Sequence, residues 1–302
     1  MSKALLLAAA LAAAALAPAA ALAQTAAPPQ GLGHVKDKPE IALDPATAYI
    51  AVRNADAASF SFIRIADEAN LADYKARRAA ALVKAHAKWE RRHATWIKNR
   101  DAYLKDARNG RPAIRPPGPE PVEPNDANLA FTPIDVENLI SFGPANRFSK
   151  SAASIYIQGV RPGRYAFYGP IMTAGNGSHA GMCMCMGTFE FEAKPGQITD
   201  IGTMILMFDV ERGRARTAGT PPPRTTIDLP ETVTSVSWRL PVAGDRIDPR
   251  LASYTIVPAE LHAGRRVPNY LGLEIDRVMP IDGVLAYRRD KVIDVRSGAT
   301  LP

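Results

Sequence analysis

The stretch with the most distinctive chemistry lies at residues 179–186, where the chain reads His-Ala-Gly-Met-Cys-Met-Cys-Met. It contains both cysteines of the protein, Cys183 and Cys185. Sulfur ligands together with an imidazole suit Cu(I), so one hypothesis is a copper site formed by His179, Cys183 and Cys185. Two cysteines in an exported protein also suggest a disulfide or a redox pair, and buried structural thiols are the third interpretation.

The spacing within this stretch bears on all three interpretations. If the strand runs straight into 189–192, the cysteines share the core side with Phe189 and Phe191, and the methionines face outwards. Thiolates and methionines then cannot bind one metal together. An extended strand also holds the Cα atoms of residues i and i+2 roughly 6.5 Å apart, at the edge of the range for a disulfide. A bulge at Gly187 would change this geometry, so the three interpretations stay open.

A second constellation is a dense cluster of basic residues around two tryptophans. Residues 75–100 include nine Lys or Arg residues and a single acid, Glu90. This density predicts contact with an anionic surface or a protein partner. The candidate contact residues are Arg77, Arg78, Lys84, Lys88, Trp89, Arg91, Arg92 and Trp96. The alternative is structural: the aromatic side chains pack on the β domain, on the following Pro-rich segment or on a second copy, and the charges form the solvated face.

No signature of catalysis accompanies these constellations. The chain lacks the His-Glu-x-x-His, Gly-x-Ser-x-Gly and Ser-x-x-Lys patterns, and residues 138–189 contain neither Asp nor Glu. The glycine-containing loop at 169–181 matches neither a P-loop nor a dinucleotide-binding fingerprint, and is interpreted as a hairpin. We therefore predict that the protein is not an enzyme.

The N-terminus predicts where the protein works. Lys3 precedes an Ala- and Leu-rich run, and Ala21-Leu-Ala23 has small residues at the positions a signal peptidase reads. Residues 1–23 are therefore predicted to be a Sec-type signal peptide, and the mature protein to be periplasmic or exported without a lipid anchor or membrane span. The polyanions outside the cytosol are lipid headgroups, lipopolysaccharide phosphates and wall polymers, so an anionic envelope component is preferred to nucleic acid as the partner.

The basic residues lie on a predicted helix. No Gly or Pro occurs from 46 to 109, and apolar and aromatic residues recur every three or four positions between Ala79 and Tyr103. Acidic residues at its start, basic residues at its end and Gly110 predict a helix over 67–108. The prolines that follow predict an extended, stiff return over 109–126. Such a helix is about 60 Å long, so it must project from its domain or pair with something, a second copy included.

Short strand-like runs separated by turn signals make up most of the remaining chain. With 302 residues, of which 47% are hydrophobic, disorder and a disulfide-stapled mini-protein are excluded. The predicted fold is mainly β: an antiparallel β-sandwich with the long helix inserted and a smaller C-terminal β-rich region. The predicted boundaries are a flexible leader over 24–40, the β-sandwich domain over 41–212, a linker over 213–226 and a C-terminal β-rich domain over 227–302.

One segment resembles a known kind of domain. Val160-Arg-Pro-Gly-Arg-Tyr165, Cys183-Met-Cys-Met-Gly-Thr188 and the run from Phe189 to Gly202 are similar to a β-sandwich domain of unknown function in secreted proteins and lipoproteins of Gram-negative bacteria. That sandwich is similar to the carboxypeptidase-regulatory or transthyretin type. The resemblance covers residues 154–208 and implies a fold and an envelope location. It implies no site residues, and the basic helix would be an insertion.

The excess of positive charge comes from the helix. The chain has 37 basic and 30 acidic residues. Removing the signal peptide takes away Lys3, and residues 75–100 hold nine basic residues and one acid, which leaves 27 basic and 29 acidic residues elsewhere. The body of the protein is therefore near neutral, and the helix is where a partner is expected first.

Overall fold

A computed structural model describes residues 31–54, 58–110, 115–150, 153–173, 178–206, 236–242, 245 and 248–301. The predicted signal peptide (1–23) and linker (213–226) lie outside the described residues. The fold is mainly β, with several sheets and one long helix. The chain divides into two compact units, Ala72–Phe131 and Pro29–Leu71 with Thr132–Pro302, called here the helical unit and the β unit.

The predicted helix is found as α1 at Glu68–Arg108, and a one-turn helix, α2, lies at Ile134–Glu137. Short 3-10 turns occupy Pro144–Asn146 and Pro249–Leu251. None of the described helices contains a stretch long and apolar enough to cross a membrane. In chain order the strands are β1 Gly31–His34, β2 Ala48–Asn54, β3 Phe60–Arg64, β4 Leu139–Phe142, β5 Ser149–Lys150, β6 Ser154–Val160, β7 Gly163–Gly169, β8 Ile171–Thr173, β9 His179–Cys183, β10 Thr188–Ala193, β11 Gln197–Leu206, β12 Val236–Arg239, β13 Thr255–Pro258, β14 His262–Gly264, β15 Glu274–Ile275, β16 Leu285–Arg288, β17 Lys291–Asp294 and β18 Thr300–Leu301.

The β unit contains two large sheets. Sheet I has the order β1-β6-β2-β11-β12, with β5 beside β6 and β13 beside β11. Sheet II has the order β14-β10-β7-β3-β4 and is antiparallel throughout. In sheet I, β11 runs parallel to both β2 and β13, so the sheet is mixed and the predicted all-antiparallel pairing is wrong there. Two three-stranded sheets, β8-β9-β15 and β16-β17-β18, complete the unit.

Sheets I and II share one hydrophobic core. The alternating side chains Phe60 and Phe62 of β3 are fully buried and belong to the same cluster as Tyr156 of β6 and Trp238 of β12. The Phe60 and Tyr156 ring centroids are 5.5 Å apart, and Phe62 and Trp238 are 6.4 Å apart. Edge-to-face packing of large rings buries much apolar area, which is the main stabilisation of the unit.

Strand β2 is buried on both of its faces. Ile50 and Val52 point into the shared core, whereas Tyr49 and Ala51 join a second cluster on the other side of sheet I. This explains why the sequence of β2 is a continuous apolar run instead of an alternating one. The described C-terminal residues belong to the same β unit.

The structure groups two of the predicted segments differently from the sequence analysis. Strands β12 and β13 extend sheet I and β14 extends sheet II, so the described residues of 227–302 are not a separate domain. The predicted flexible leader, 24–40, includes β1, which pairs with the edge of β6. An exposed edge of β6 would present unpaired backbone groups, and β1 satisfies them. The mixture of Pro, Ala, Gln and Gly in residues 24–40 favoured a flexible segment and hid this strand.

Candidate anion-binding site

The start of α1 is fixed by a side-chain cap. Asp67 accepts a hydrogen bond from the backbone N–H of Asn70 at 2.8 Å, and its other oxygen is 2.6 Å from the Arg64 guanidinium. The Asn70 hydrogen bond, together with Arg64, lowers the pKa of the Asp67 carboxyl. At the other end Gly110 has φ +64°, the left-handed conformation that closes helices.

Within the helical unit the Pro-rich return lies along one face of the helix. The Trp89 indole N–H donates to the Pro121 carbonyl at 2.9 Å, and the Trp96 indole N–H donates to the Gly118 carbonyl at 2.8 Å. Seven helical residues span about 10.5 Å, and three residues of extended polyproline II chain span about 9.3 Å. Two helical turns therefore match three residues of the return, and the two tryptophans meet carbonyls three positions apart.

A stack of rings fills the space between these two hydrogen bonds. The His93 ring lies parallel to Trp89 at 4.8 Å and to Trp96 at 6.0 Å between centroids. His93 Nε2 is 2.8 Å from Glu120 Oε1, and His86 Nδ1 is 3.8 Å from Glu123 Oε1. The same seven-to-three register therefore positions both acids, which the sequence analysis did not single out.

Three of the nine basic residues between positions 75 and 100 have acidic partners within the unit. Arg77 Nε is 2.8 Å from Asp73 Oδ2, and Arg78 pairs with Asp126 of the return. Arg100 pairs with the adjacent Asp101 at 2.9 Å and lies over the Trp96 ring at 5.1 Å. Only the Arg78–Asp126 pair joins the helix to the return segment, and these two segments together are called here the hairpin. The other two pairs lie within the helix.

The other six basic side chains are exposed and have no acidic partner in the part of the chain that the structure describes: Lys75, Lys84, Lys88, Arg91, Arg92 and Lys98. Four of them are spaced by four, three and seven residues along the helix, and we call them the basic row: Lys84, Lys88, Arg91 and Lys98. From its first to its last residue the row is about 21 Å long. At 100° per residue Lys84, Arg91 and Lys98 lie on the side of the helix away from the tryptophans, whereas Lys88 lies at its flank, about 100° from Trp89.

The structure thus divides the predicted contact residues into two groups. Trp89 and Trp96 are half-buried and use their N–H groups inside the hairpin, and Arg77 and Arg78 have acidic partners. Of the eight predicted residues, four stay available to an anion: Lys84, Lys88, Arg91 and Arg92. The acids of the return recur every three residues, at 120, 123 and 126, but only the observed register shows that they face the helix.

The cysteine–methionine stretch does not run straight. Strand β9 ends at Cys183, and a turn closed by Gly187 N–H donating to the Met184 carbonyl at 3.3 Å precedes β10. Met184 is therefore fully buried in the core shared by sheets I and II, which is contrary to its expected outward position. The turn brings the Cα atoms of Cys183 and Cys185 to 5.1 Å, and the structure pairs the two cysteines as a disulfide.

The structure does not bring His179 to the cysteines. His179 lies four residues before Cys183 on the same strand, about 13 Å away, and its Nδ1 is 3.0 Å from the Thr173 hydroxyl. Both cysteines are buried, and as a disulfide they offer no thiolate to Cu(I). Among the described residues no group of three or more His, Cys, Asp or Glu side chains is arranged to hold a metal ion.

Comparison with protein-family models, with curated proteins and with solved structures finds no match to this chain.

Proposed function

We propose that this chain is a non-catalytic, periplasmic or exported protein of the cell envelope, a β-sandwich interaction module whose basic helix contacts an anionic envelope component. The sandwich part of this proposal is supported by the core that sheets I and II share. The envelope location is supported by the predicted signal peptide over 1–23.

The observation that carries the proposal is the basic row. An exposed cation that faces an acid nearby contributes little to binding, because part of its field is already neutralised. Lys84, Lys88, Arg91 and Lys98 are exposed and face no acid among the described residues. A Lys or Arg close to an anionic lipid surface contributes about 1 kcal/mol. A line of four therefore supplies a usable, salt-sensitive affinity.

The proposal is tested by binding to vesicles that contain an anionic phospholipid. The row variant replaces Lys84, Lys88, Arg91 and Lys98 by Gln and should bind at least tenfold more weakly than wild type. The matched control replaces four exposed cations of the β unit by Gln, with the same change in net charge: Lys36, Lys38, Arg288 and Lys291. Equal losses of vesicle affinity in the two variants would show that only the net charge of the protein matters. That result would contradict a specific role of the helix.

A second candidate, a thiol-redox protein, rests on the Cys183–Cys185 disulfide. We expect the natively purified protein to show no titratable thiol, even in denaturant, and to gain two on reduction. Because the loop that the bond closes is very short, loss of the bond should cost less than about 2 kcal/mol in the free energy of unfolding. Two thiols that react only in denaturant without a reductant would identify buried structural cysteines instead.

A further inference from the structure

A small groove lies on the helical unit where the helix and the return segment diverge. Its volume is about 250 Å³, and its lining residues are Ala85, Lys88, Trp89, Arg92, Pro121, Val122 and Pro124. Trp89 forms a rigid wall, because its indole N–H is bonded to the Pro121 carbonyl at 2.9 Å. The groove is slightly smaller than the ~300 Å³ lower limit of ordinary ligand pockets, so it suits a headgroup and not a whole amphiphile.

Two cations line this groove one helical turn apart. Lys88 and Arg92 are exposed, and neither has an acidic partner in the described parts of the chain. Residues four positions apart on a helix place their side chains about 5–6 Å from each other, close enough to contact one small anion. The guanidinium of Arg presents a fork that matches two phosphate oxygens, and the ammonium of Lys adds a point charge.

The charge of this pair selects between kinds of phosphate. A phosphate monoester carries about −1.5 to −2 charges at pH 7 and offers three acceptor oxygens. A phosphodiester has one charge and two such oxygens, so two adjacent cations match the monoester better. The apolar part of the groove matters as well. Val122 is 79% exposed at the groove, between Pro121 and Pro124, and offers methyl groups to the hydrocarbon next to a headgroup.

We propose that the groove binds the phosphomonoester headgroup of an anionic lipid, held by Lys88 and Arg92 with Val122 against its hydrocarbon. This inference rests on the proposed function, which it deepens by naming the headgroup. The other residues of the basic row attract the protein to any anionic surface. The groove provides the preference for a phosphomonoester over a phosphodiester.

The test compares vesicles containing phosphatidic acid, a monoester, with vesicles containing phosphatidylglycerol, a diester, adjusted to equal zeta potential. Wild type should bind the phosphatidic acid vesicles about three- to tenfold more tightly, which is what two exposed charge-assisted contacts supply. Lys88→Gln with Arg92→Gln should abolish that ratio. The matched control, Lys84→Gln with Arg91→Gln, removes the same charge outside the groove and should weaken binding to both vesicles while keeping the ratio.

Each failure has its own signature. Binding to neither vesicle would overturn the proposed function, whereas equal binding to both by wild type would overturn only the headgroup inference. Val122→Ser leaves the charge unchanged and should lower the ratio about twofold, because it removes methyl groups from the hydrocarbon contact. Displacement from phosphatidic acid vesicles by millimolar inorganic phosphate, with no effect of Val122→Ser, would identify a site for soluble phosphate and overturn the lipid assignment.

Discussion

At the residue scale, two tryptophans and one histidine determine what the hairpin can bind. Trp89 and Trp96 donate their indole N–H groups to carbonyls of the return, and His93 stacks between them. An indole N–H that is already bonded within the chain is not available to an interfacial partner. This is why contact with an anion falls to the exposed lysines and arginines of the helix.

The two indole hydrogen bonds can be removed one at a time. Trp96→Phe keeps a ring beside His93 and loses the hydrogen bond to Gly118, which should cost about 1 kcal/mol of local stability. Amide hydrogen exchange of residues 89–100 should therefore be about fivefold faster. The matched control is Tyr103→Phe on the same helix, for which no side-chain hydrogen bond is found in the described structure. Unchanged exchange in the tryptophan variant would contradict the observed register of helix and return.

The Asp67 cap predicts a dependence on pH. The folded-state pKa of Asp67 is lowered, so its contribution is present above the unfolded-state value of about 3.9 and is lost as the pH falls through the folded pKa. At neutral pH Asp67→Ala should destabilise the helix by about 1 kcal/mol, whereas Asp67→Asn retains a capping side chain and should cost less.

Acid titrations of wild type and of Asp67→Asn check that the stability of the helix is lost, and not gained, as the pH falls. Loss of ellipticity as the pH falls below about 4 should be shallower in Asp67→Asn than in wild type, because the asparagine cannot be protonated. A wild-type helix whose stability is constant over that range would contradict the role of the charged cap.

At the scale of elements, the sequence predicts regular structure well and irregular structure poorly. The long helix was predictable because its apolar spacing, its absence of Gly and Pro and its terminal residues agree. The turn after Cys183 was not, because Met184 and Met186 fit an alternating strand equally well. Its signal was Gly187, where a Cβ atom would lie 2.5 Å from the Tyr287 ring, a contact between residues 100 positions apart that local spacing cannot reveal.

One buried ion pair links β2 to β11. Arg53 of β2 makes two hydrogen bonds to Asp200 of β11, at 2.9 and 2.7 Å, and both side chains are less than a tenth exposed. Asp200→Ala leaves the guanidinium buried without its acid and should lower the free energy of unfolding by about 3–5 kcal/mol.

A double-mutant cycle with Arg53→Met isolates this effect. The double variant, Arg53→Met with Asp200→Ala, removes both charges and should be more stable than Asp200→Ala alone, as measured by denaturant unfolding. Additive losses would mean that the two groups do not interact.

At the scale of the whole molecule, the positive charge belongs to one unit. The range Ala72–Phe131 contains 13 basic and seven acidic residues, which leaves 24 basic and 23 acidic residues in the rest of the chain. The return segment pairs its acids Glu120, Glu123 and Asp126 with the helix face it covers. The charge that remains is on the opposite face. The local origin of this charge could be read from the sequence, but its division between two faces required the register of the return.

The most direct test of the account is the salt dependence of vesicle binding, measured for wild type and for the variant with Lys84, Lys88, Arg91 and Lys98 replaced by Gln. Contacts between exposed charges weaken as the screening length falls from about 30 Å at 0.01 M salt to about 8 Å at 0.15 M. We expect wild type to lose affinity steeply over this range, whereas the row variant should bind weakly and change little with salt. Equal slopes for the two proteins would contradict this expectation.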